Sequence, residues 1–126
     1  MLKIDGTEYN VRVVYGSLAR AFEIVEGANA GASLTGARIR DIVGTAFSYS
    51  LQVEPVPNAA ADYDALYEKL AEPVDTHTVE LPYGQTTLKF DAIIEAAADT
   101  FSGTVAGVKK WNGLTLNFNP EEPQRR

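Results

Sequence analysis

The feature that most constrains the fold is a run of alternating apolar and polar residues in the second half of the chain. Between residues 76 and 119 the sequence divides into three or four such segments. Side chains along a β-strand point alternately to opposite faces, so a period of two indicates strands with one buried and one solvated face. The pattern predicts an antiparallel sheet in this half of the chain.

Turn signals separate these segments. Residues 76–81 and 86–94 alternate on either side of a turn at 82–85, and this arrangement predicts a hairpin. A last segment ends at Phe118, and the dipeptide Asn112-Gly113 before it indicates a bulge or a tight turn.

The first half of the chain also favours strands. Asp5-Gly6 predicts a small opening hairpin, because a type I′ turn needs positive φ at both central residues. Residues 18–25 fit both a helical and a strand spacing, and we interpret them as a strand. Residues 37–54 alternate over a long stretch and predict one long strand, bent or bulged at Gly44.

One helix is predicted, over about residues 60–71. Its larger apolar residues recur at i, i+3, i+4 and i+7 and so share one face: Tyr63, Leu66, Tyr67 and Leu70. Asp62 is the expected N-cap, since a carboxylate there accepts hydrogen bonds from free amides and complements the helix dipole. The two tyrosines are interpreted as core packing, not as a ligand-binding stripe.

The chain fits one domain over residues 1–126. A core of this size buries roughly two thirds of the surface that the unfolded chain exposes, and 45% of the residues are hydrophobic. Residues 26–36 predict a flexible Gly/Ala/Ser loop, and residues 120–126 predict a short charged C-terminal tail. The predicted fold class is α+β and β-rich: an antiparallel β-sandwich or partly open barrel with one packed helix at about 60–71.

Composition argues against several classes of partner. The net charge is −6 and the 11 Lys and Arg residues are scattered, whereas nucleic-acid binders need a concentrated basic face. Lys109 and Lys110 beside Trp111 make only a weak stacking surface for single strands, and we interpret them as a solvated hairpin edge. No apolar run reaches the length of about 18 residues that a membrane span needs, and no secretion signal is recognisable. We therefore expect no nucleic-acid and no membrane partner.

The candidate catalytic residues form no recognisable motif. His77 follows Asp75 by two positions, about 7 Å along a strand, and no serine carries a nucleophile motif, so we expect a surface histidine. Asp62 and Asp64 are explained by the helix start, and no carboxylate group completes a calcium loop. The chain also has no cysteine for a zinc site. We expect no catalytic, cofactor-binding or metal-ligating residue and no cofactor, and we predict that the chain is not an enzyme.

The glycines near the middle of the chain do not form a phosphate-binding loop. Gly27, Gly31 and Gly36 are spaced at four and five residues and are followed by neither a Lys-Ser/Thr pair nor a clear helix. A loop of small residues on a β scaffold, with edge strands beside it, is typical of surfaces that contact neighbouring subunits.

Six short stretches, spread over most of the chain, resemble a known group of proteins. They are Phe22-Glu23, Arg40-Asp41-Ile42-Val43-Gly44-Thr45, Tyr63-Asp64-Ala65-Leu66-Tyr67-Glu68, Pro73-Val74-Asp75-Thr76-His77-Thr78, Pro82-Tyr83-Gly84-Gln85 and Trp111-Asn112-Gly113-Leu114-Thr115. In these stretches the chain resembles short structural proteins from the tail or head-tail gene modules of tailed bacteriophages and prophages of Gram-positive bacteria. The stretches correspond to a helix, turns and strand starts, and none is tied to an active site.

This resemblance implies a virion structural protein, tail-associated, that self-associates or docks to other phage structural proteins. It implies a homo-oligomer located in the virion, and in the host cytoplasm during assembly. Two alternatives stay open. A small-ligand or carbohydrate-binding β module would need an exposed aromatic cleft around Trp111, Tyr49 or Tyr83. A small hydrolase would need His77 to converge with a nucleophile.

Overall fold

A computed structural model of the chain describes residues 2–27, 31–32, 36 and 38–126. The described residues form eleven strands and one α-helix. In chain order these are β1 (Lys3–Ile4), β2 (Thr7–Glu8), β3 (Val11–Val13), β4 (Ala19–Glu26), β5 (Gly31–Ala32), β6 (Arg38–Ile39), β7 (Ile42–Pro55), α1 (Ala60–Leu70), β8 (His77–Tyr83), β9 (Thr86–Ile93), β10 (Ala98–Val105) and β11 (Val108–Pro120).

Nine of these strands form one curled, half-barrel sheet. Their order is β2-β1-β8-β9-β11-β7-β3, with β4 also beside β7 and β10 also beside β11. The two longest strands, β7 and β11, are antiparallel neighbours that place Leu116 opposite Leu51. The prediction of a β-rich α+β fold with antiparallel strands and one helix is confirmed.

The hydrophobic core joins one face of this sheet to α1. Tyr63, Leu66 and Leu70 of the helix are buried, as the helical spacing predicted. Alternate residues of the central strands fill the rest of the core: Leu51, Val53, Val79, Leu81, Leu114, Leu116 and Phe118. The residues between them lie on the opposite face of the sheet, where Thr115 and Asn117 are exposed. The period of two in the sequence therefore corresponds to one apolar and one polar face.

The turns and strands of the first half largely follow the prediction. Asp5 and Gly6 have φ values of 50° and 83°, as a type I′ turn requires, and they join β1 to β2. Strand β4 pairs along β7, which confirms the interpretation of residues 18–25 as a strand. The predicted loop at 26–36 lies largely outside the described residues; within it, Gly31–Ala32 pairs with β6.

Gly44 lies at a bulge and at a close backbone contact. Val25 lies opposite Gly44 but Glu26 lies opposite Ile42, so β7 has one extra residue at this point, as the sequence predicted. A Cβ on Gly44 would lie 2.6 Å from the backbone oxygen of Arg125. Glycine is therefore the residue that lets the C-terminus approach β7.

The charged C-terminal segment at 120–126 returns to the sheet. Arg125 forms an isolated antiparallel bridge with Thr45. The side chain of Gln124 donates a hydrogen bond to the backbone oxygen of Phe47 and accepts one from its N–H, both at 2.8 Å. Composition predicted the charge of this tail, but it did not predict these contacts.

Helix α1 begins without the expected cap. Its N-cap is Ala59, which has no side chain that could accept a hydrogen bond. Asp62 lies inside the first turn, and its carboxylate accepts a hydrogen bond from the backbone amide of Asn10 at 2.9 Å. The prediction of Asp62 as N-cap is wrong. Its carboxylate accepts a hydrogen bond from a loop amide, and the first amides of the helix have no side-chain cap. Tyr67 is 39% exposed, so its assignment to the core is also wrong.

The second half contains two hairpins. Strands β8 and β9 pair with Tyr83 opposite Thr86, so the predicted hairpin is confirmed. Strands β10 and β11 form a second hairpin around a turn with φ of 52° at Ala106 and 79° at Gly107. The sequence pattern predicted a hairpin edge at Lys109 and Lys110, but it did not predict the position of β10 or of this turn. The bulge expected at Asn112-Gly113 is confirmed by a shift in the pairing of β10 with β11 there.

Candidate functional site

The outer half of the β10–β11 hairpin extends beyond its contact with β7. Strand β11 pairs with β7 only from Leu114 to Phe118, so residues 100–112 form a two-stranded ribbon, here named the arm. Every residue of the arm is exposed except Gly103, which is half-buried. Two-stranded ribbons are marginally stable in water by themselves, so an arm of this kind favours a binding partner.

The arm carries large apolar side chains on its surface. Val105 and Val108 flank the turn at its tip, and Val105 is 62% exposed. Phe101 and Trp111 pack on each other across the two strands, with ring centroids 5.0 Å apart, and both stay exposed. Clustered exposed apolar groups are typical of interaction surfaces.

The sheet has two long edge strands of equal length. Among the described strands, β10 pairs only with β11 and β4 only with β7, so each has one row of backbone groups without a strand partner. Each spans eight residues. Phe22 on β4 is 69% exposed. Edges of this length are templates for pairing with another strand.

Charge also distinguishes the arm from the rest of the chain. Residues 100–120 contain two lysines, Lys109 and Lys110, and no acidic residue, whereas the whole chain has a net charge of −6. Both lysines are exposed, as the interpretation of a solvated hairpin edge required. A basic, apolar arm on an acidic chain is complementary in charge to another copy of that chain.

Of the three aromatic residues considered for a ligand-binding cleft, only Trp111 is both exposed and in a cleft. Tyr49 is buried, and its hydroxyl donates a hydrogen bond to the backbone oxygen of Pro82 at 2.9 Å. The ring of Tyr83 packs edge-on against Phe47. Trp111, on the arm, lines two adjoining clefts that are also lined by residues of α1. The condition for a ligand-binding module is therefore met only around Trp111.

His77 is buried, with 3% of its surface exposed, and it faces Asp5. Its Nδ1 atom lies 2.7 Å from Asp5 Oδ2. The prediction of a surface histidine beside Asp75 is wrong. Strand β1 pairs with β8, and this pairing brings the opening turn over His77. No sequence motif could show this contact, because the two residues are 72 positions apart.

Asp5 is the centre of a small network of charges and hydrogen bonds. Its Oδ1 accepts a hydrogen bond from the backbone amide of Thr78 at 2.8 Å, and Lys69 Nζ lies 3.6 Å from Oδ2. Burial raises the pKa of Asp5, but the hydrogen bonds from His77 and Thr78 and the nearby charges of His77 and Lys69 outweigh burial, so the pKa lies below its usual value. The ionised carboxylate thus links the opening turn, the end of α1 and β8.

The same network resembles a metal site in its ligand types. Ligand atoms of Asp5, Glu72 and His77 lie within 4.8 Å of one another. Lys69 Nζ lies 3.2 Å from Glu72 Oε1, close to both carboxylates, so its ammonium supplies positive charge there. We interpret the group as an ion network that fastens the end of α1 to the sheet.

His77 has no nucleophile at hydrogen-bonding distance among the described residues. Its Nε2 atom is buried without a hydrogen-bond partner there. The convergence that the hydrolase alternative needs is therefore not seen in this part of the chain. The glycines considered for a phosphate loop lie elsewhere: Gly27 follows β4, Gly31 begins β5 and Gly36 precedes β6.

Comparisons with known proteins identify no family. No protein-family model matches the chain, and no curated protein matches it. The resemblance to phage structural proteins stays a prediction. Within the described residues, the one helix is neither long nor apolar enough to cross a bilayer.

Proposed function

We propose that this chain is a structural subunit of a phage or prophage virion, tail-associated, which acts by docking to neighbouring copies of itself. The observation that carries the proposal is the arm, a two-stranded ribbon with exposed Phe101, Val105, Val108 and Trp111. Such a ribbon gains little stability from its own chain, and a neighbouring subunit would cover the exposed valines at its tip. The resemblance supports the same class of protein.

The docking that we propose joins β10 of one copy to β4 of the next. Both strands span eight residues and lack a partner on one side among the described strands. Both present an exposed apolar residue, Val105 on β10 and Phe22 on β4. Pairing of the two edges would add backbone hydrogen bonds to apolar contact. The basic arm would also approach an acidic neighbour.

An interface between two different edges is heterologous. Each copy then offers one arm and one β4 edge, so every added copy leaves a new edge free. Such an assembly closes into a ring or grows into a tube, and both are consistent with a tail component. Virion location and host-cytoplasmic assembly belong to the same proposal.

The first test is the solution mass of the purified chain, measured by light scattering over a concentration series. We expect a discrete ring-sized oligomer or growth into tubes. A strict monomer at every concentration would contradict self-docking and would leave a subunit that requires a different phage protein.

Two edge variants then test the geometry. Val105→Lys places a charge on the arm, and Phe22→Lys places one on β4; each alone should reduce the chain to a monomer. A mixture of the two retains one intact arm and one intact β4 edge, so it should form a dimer and stop. If the mixture stays monomeric, the pairing of arm with β4 is wrong. Val74→Lys, at an exposed valine that lies on neither β4 nor β10, is the control and should assemble like the wild type.

A second candidate function is a small-ligand or carbohydrate-binding β module. The cleft around Trp111 favours it, because this indole is exposed beside the surface of α1. Binding of a glycan by a monomeric chain would support this candidate and not the assembly proposal.

A further inference from the structure

A cleft on the outer side of α1 has a lining of unusual chemistry. Its volume is about 370 Å³. The helix contributes four residues and the β10–β11 hairpin contributes two: Tyr63, Asp64, Tyr67, Glu68, Asp99 and Trp111. The described lining therefore consists of three aromatic rings and three carboxylates, with no basic side chain among these residues.

Two of the three rings face solvent. Tyr63 is buried at the floor, whereas Tyr67 and Trp111 are each 39% exposed. Trp111 packs beside Phe101, its cross-strand neighbour, whose ring centroid lies 5.0 Å away. The exposed indole therefore presents a surface on which a ligand can stack.

The carboxylates give the cleft a strong negative charge. Asp99 accepts a hydrogen bond from the hydroxyl of Tyr63 at 2.9 Å. Burial, together with that hydrogen bond and the charge of Asp99, raises the pKa of Tyr63, so its hydroxyl remains a donor. Asp64 and Glu68 are exposed and form no ion pair with any described residue.

Lys109 and Lys110 lie next to this cleft but do not line it. They line the adjoining cleft, which shares Tyr63, Asp64 and Trp111 with it. Neither lysine forms an ion pair with a described carboxylate. The negative charge of the cleft thus has no counter-charge from a contacting basic side chain in this part of the chain.

We propose that this cleft binds an organic cation, an alkylammonium or guanidinium group. Aromatic faces attract such cations through their quadrupole, and carboxylates at the rim pair with them. A bare metal ion would use the carboxylates but gain little from the rings. A neutral sugar would stack on the rings but would leave three negative charges uncompensated. An organic cation uses both parts of the lining, and the inference does not depend on self-assembly.

Trp111 provides the measurement, because it is the only tryptophan in the chain. We expect its fluorescence to change in a saturable way when the protein is titrated with Nα-acetylarginine amide or tetramethylammonium at constant ionic strength. Nα-acetylcitrulline amide, which has nearly the same shape without the charge, should bind at least ten-fold more weakly. Equal binding of the citrulline compound, or tighter binding of a neutral disaccharide such as cellobiose, would overturn the proposal.

Matched variants separate the cleft from the overall charge. Asp64→Asn combined with Glu68→Gln should weaken cation binding about ten-fold. Glu121→Gln combined with Glu122→Gln removes the same charge far along the chain, outside the residues that line the cleft, and should leave affinity within two-fold. Equal losses in the two double variants would mean nonspecific charge attraction and would reject the site.

The source of the cation is decided by a second comparison. The two sources are a free small molecule and an arginine or lysine side chain of a polypeptide. A capped Gly-Arg-Gly peptide that binds ten-fold more tightly than Nα-acetylarginine amide would indicate a polypeptide. Equal affinities would indicate a free cation. Tyr67→Ala should weaken both, whereas Tyr67→Phe, which retains the ring, should weaken neither.

Discussion

The two halves of β11 show how differently one strand can be used. In the inner half, Leu114, Leu116 and Phe118 are completely buried and alternate with exposed residues. In the outer half, residues 108–112 are all exposed, including Trp111. The inner half is therefore part of the hydrophobic core between the sheet and α1. We call the sheet outside the arm, together with α1, the body; the outer half of β11 belongs to the arm. Buried and exposed residues alternate in the inner half. In the outer half this alternation is lost, and the exposed residues form a surface that is available for binding.

The comparison also separates what stabilises each region. The body is held by apolar burial, at roughly 25 cal/mol for each Å² removed from water. The arm has cross-strand pairs, such as Phe101 with Trp111, and ladder hydrogen bonds exposed to solvent. We expect the two regions to respond very differently to the same substitution.

The largest expected effect comes from one substitution made in each region. Phe118→Ala removes a fully buried ring and should lower the free energy of unfolding by about 3–5 kcal/mol. Phe101→Ala removes an exposed ring from the arm and should cost about 1 kcal/mol or less. Urea denaturation followed by circular dichroism measures both. Similar losses for the two variants would break the distinction between body and arm.

The next effect tests whether the C-terminus belongs to the body. Gly44→Ala would place a Cβ 2.6 Å from the backbone oxygen of Arg125, so the terminal segment must move. We expect a loss of about 2 kcal/mol and faster trypsin cleavage at Arg125. Gly27→Ala is the control, because its Cβ would meet Asp41 and Val43 and no residue of the C-terminal segment. Equal cleavage rates in the two variants would show that the tail does not stabilise the body.

Sequence reasoning predicted the body well, because the body follows the periodicity of burial. The alternation before Phe118 and in residues 76–94 reports which side chains face α1, and that is a local property of each strand. The Asp5-Gly6 turn was predictable for the same reason, since its φ values have a local residue preference.

The arm and the charged contacts depend on information that is not local. Ala106 has a positive φ although alanine carries a Cβ, so only Gly107 gives the turn of the arm the usual residue signal. His77 meets Asp5 only because β1 pairs with β8. Asp62 binds the amide of Asn10, which lies 52 positions away. The sequence spacing predicted that Tyr63 and Tyr67 share one face of a helix. It did not predict that the arm lies beside them and completes the proposed cation cleft.

The junction between body and arm gives a third prediction. Gly113 has φ of 73° at the bulge, a conformation that costs a residue with a Cβ about 1–2 kcal/mol. Gly113→Ala should lower stability by that amount and should reduce assembly more strongly, because the bulge directs the arm. Gly113→Asn should be milder, since asparagine tolerates positive φ. Assembly that is unchanged in Gly113→Ala would mean that the direction of the arm is set elsewhere.

The smallest effect concerns acid stability and is confined to the body. Asp5→Asn retains a residue that tolerates the φ of 50° but removes the charge near Lys69 and His77, and should cost about 1 kcal/mol at pH 6 after allowance for solvent screening. The pKa of Asp5 is lower in the folded chain than its usual 3.8. Its contribution to stability is therefore complete above that value and is lost as the pH falls through the lowered pKa.

Unfolding curves at several pH values between 6 and about 2 test whether the stabilisation by Asp5 decreases as the pH falls. The difference between the wild type and Asp5→Asn should be constant above the usual carboxyl pKa and should shrink at lower pH. Asp75→Asn, at an exposed carboxylate near His77 in sequence, should differ little from the wild type at every pH, because the Nδ1 atom of His77 faces Asp5. A gap between the wild type and Asp5→Asn that widens in acid would show that the carboxylate is not stabilised by its folded surroundings, and that the body is fastened at this edge by apolar burial alone.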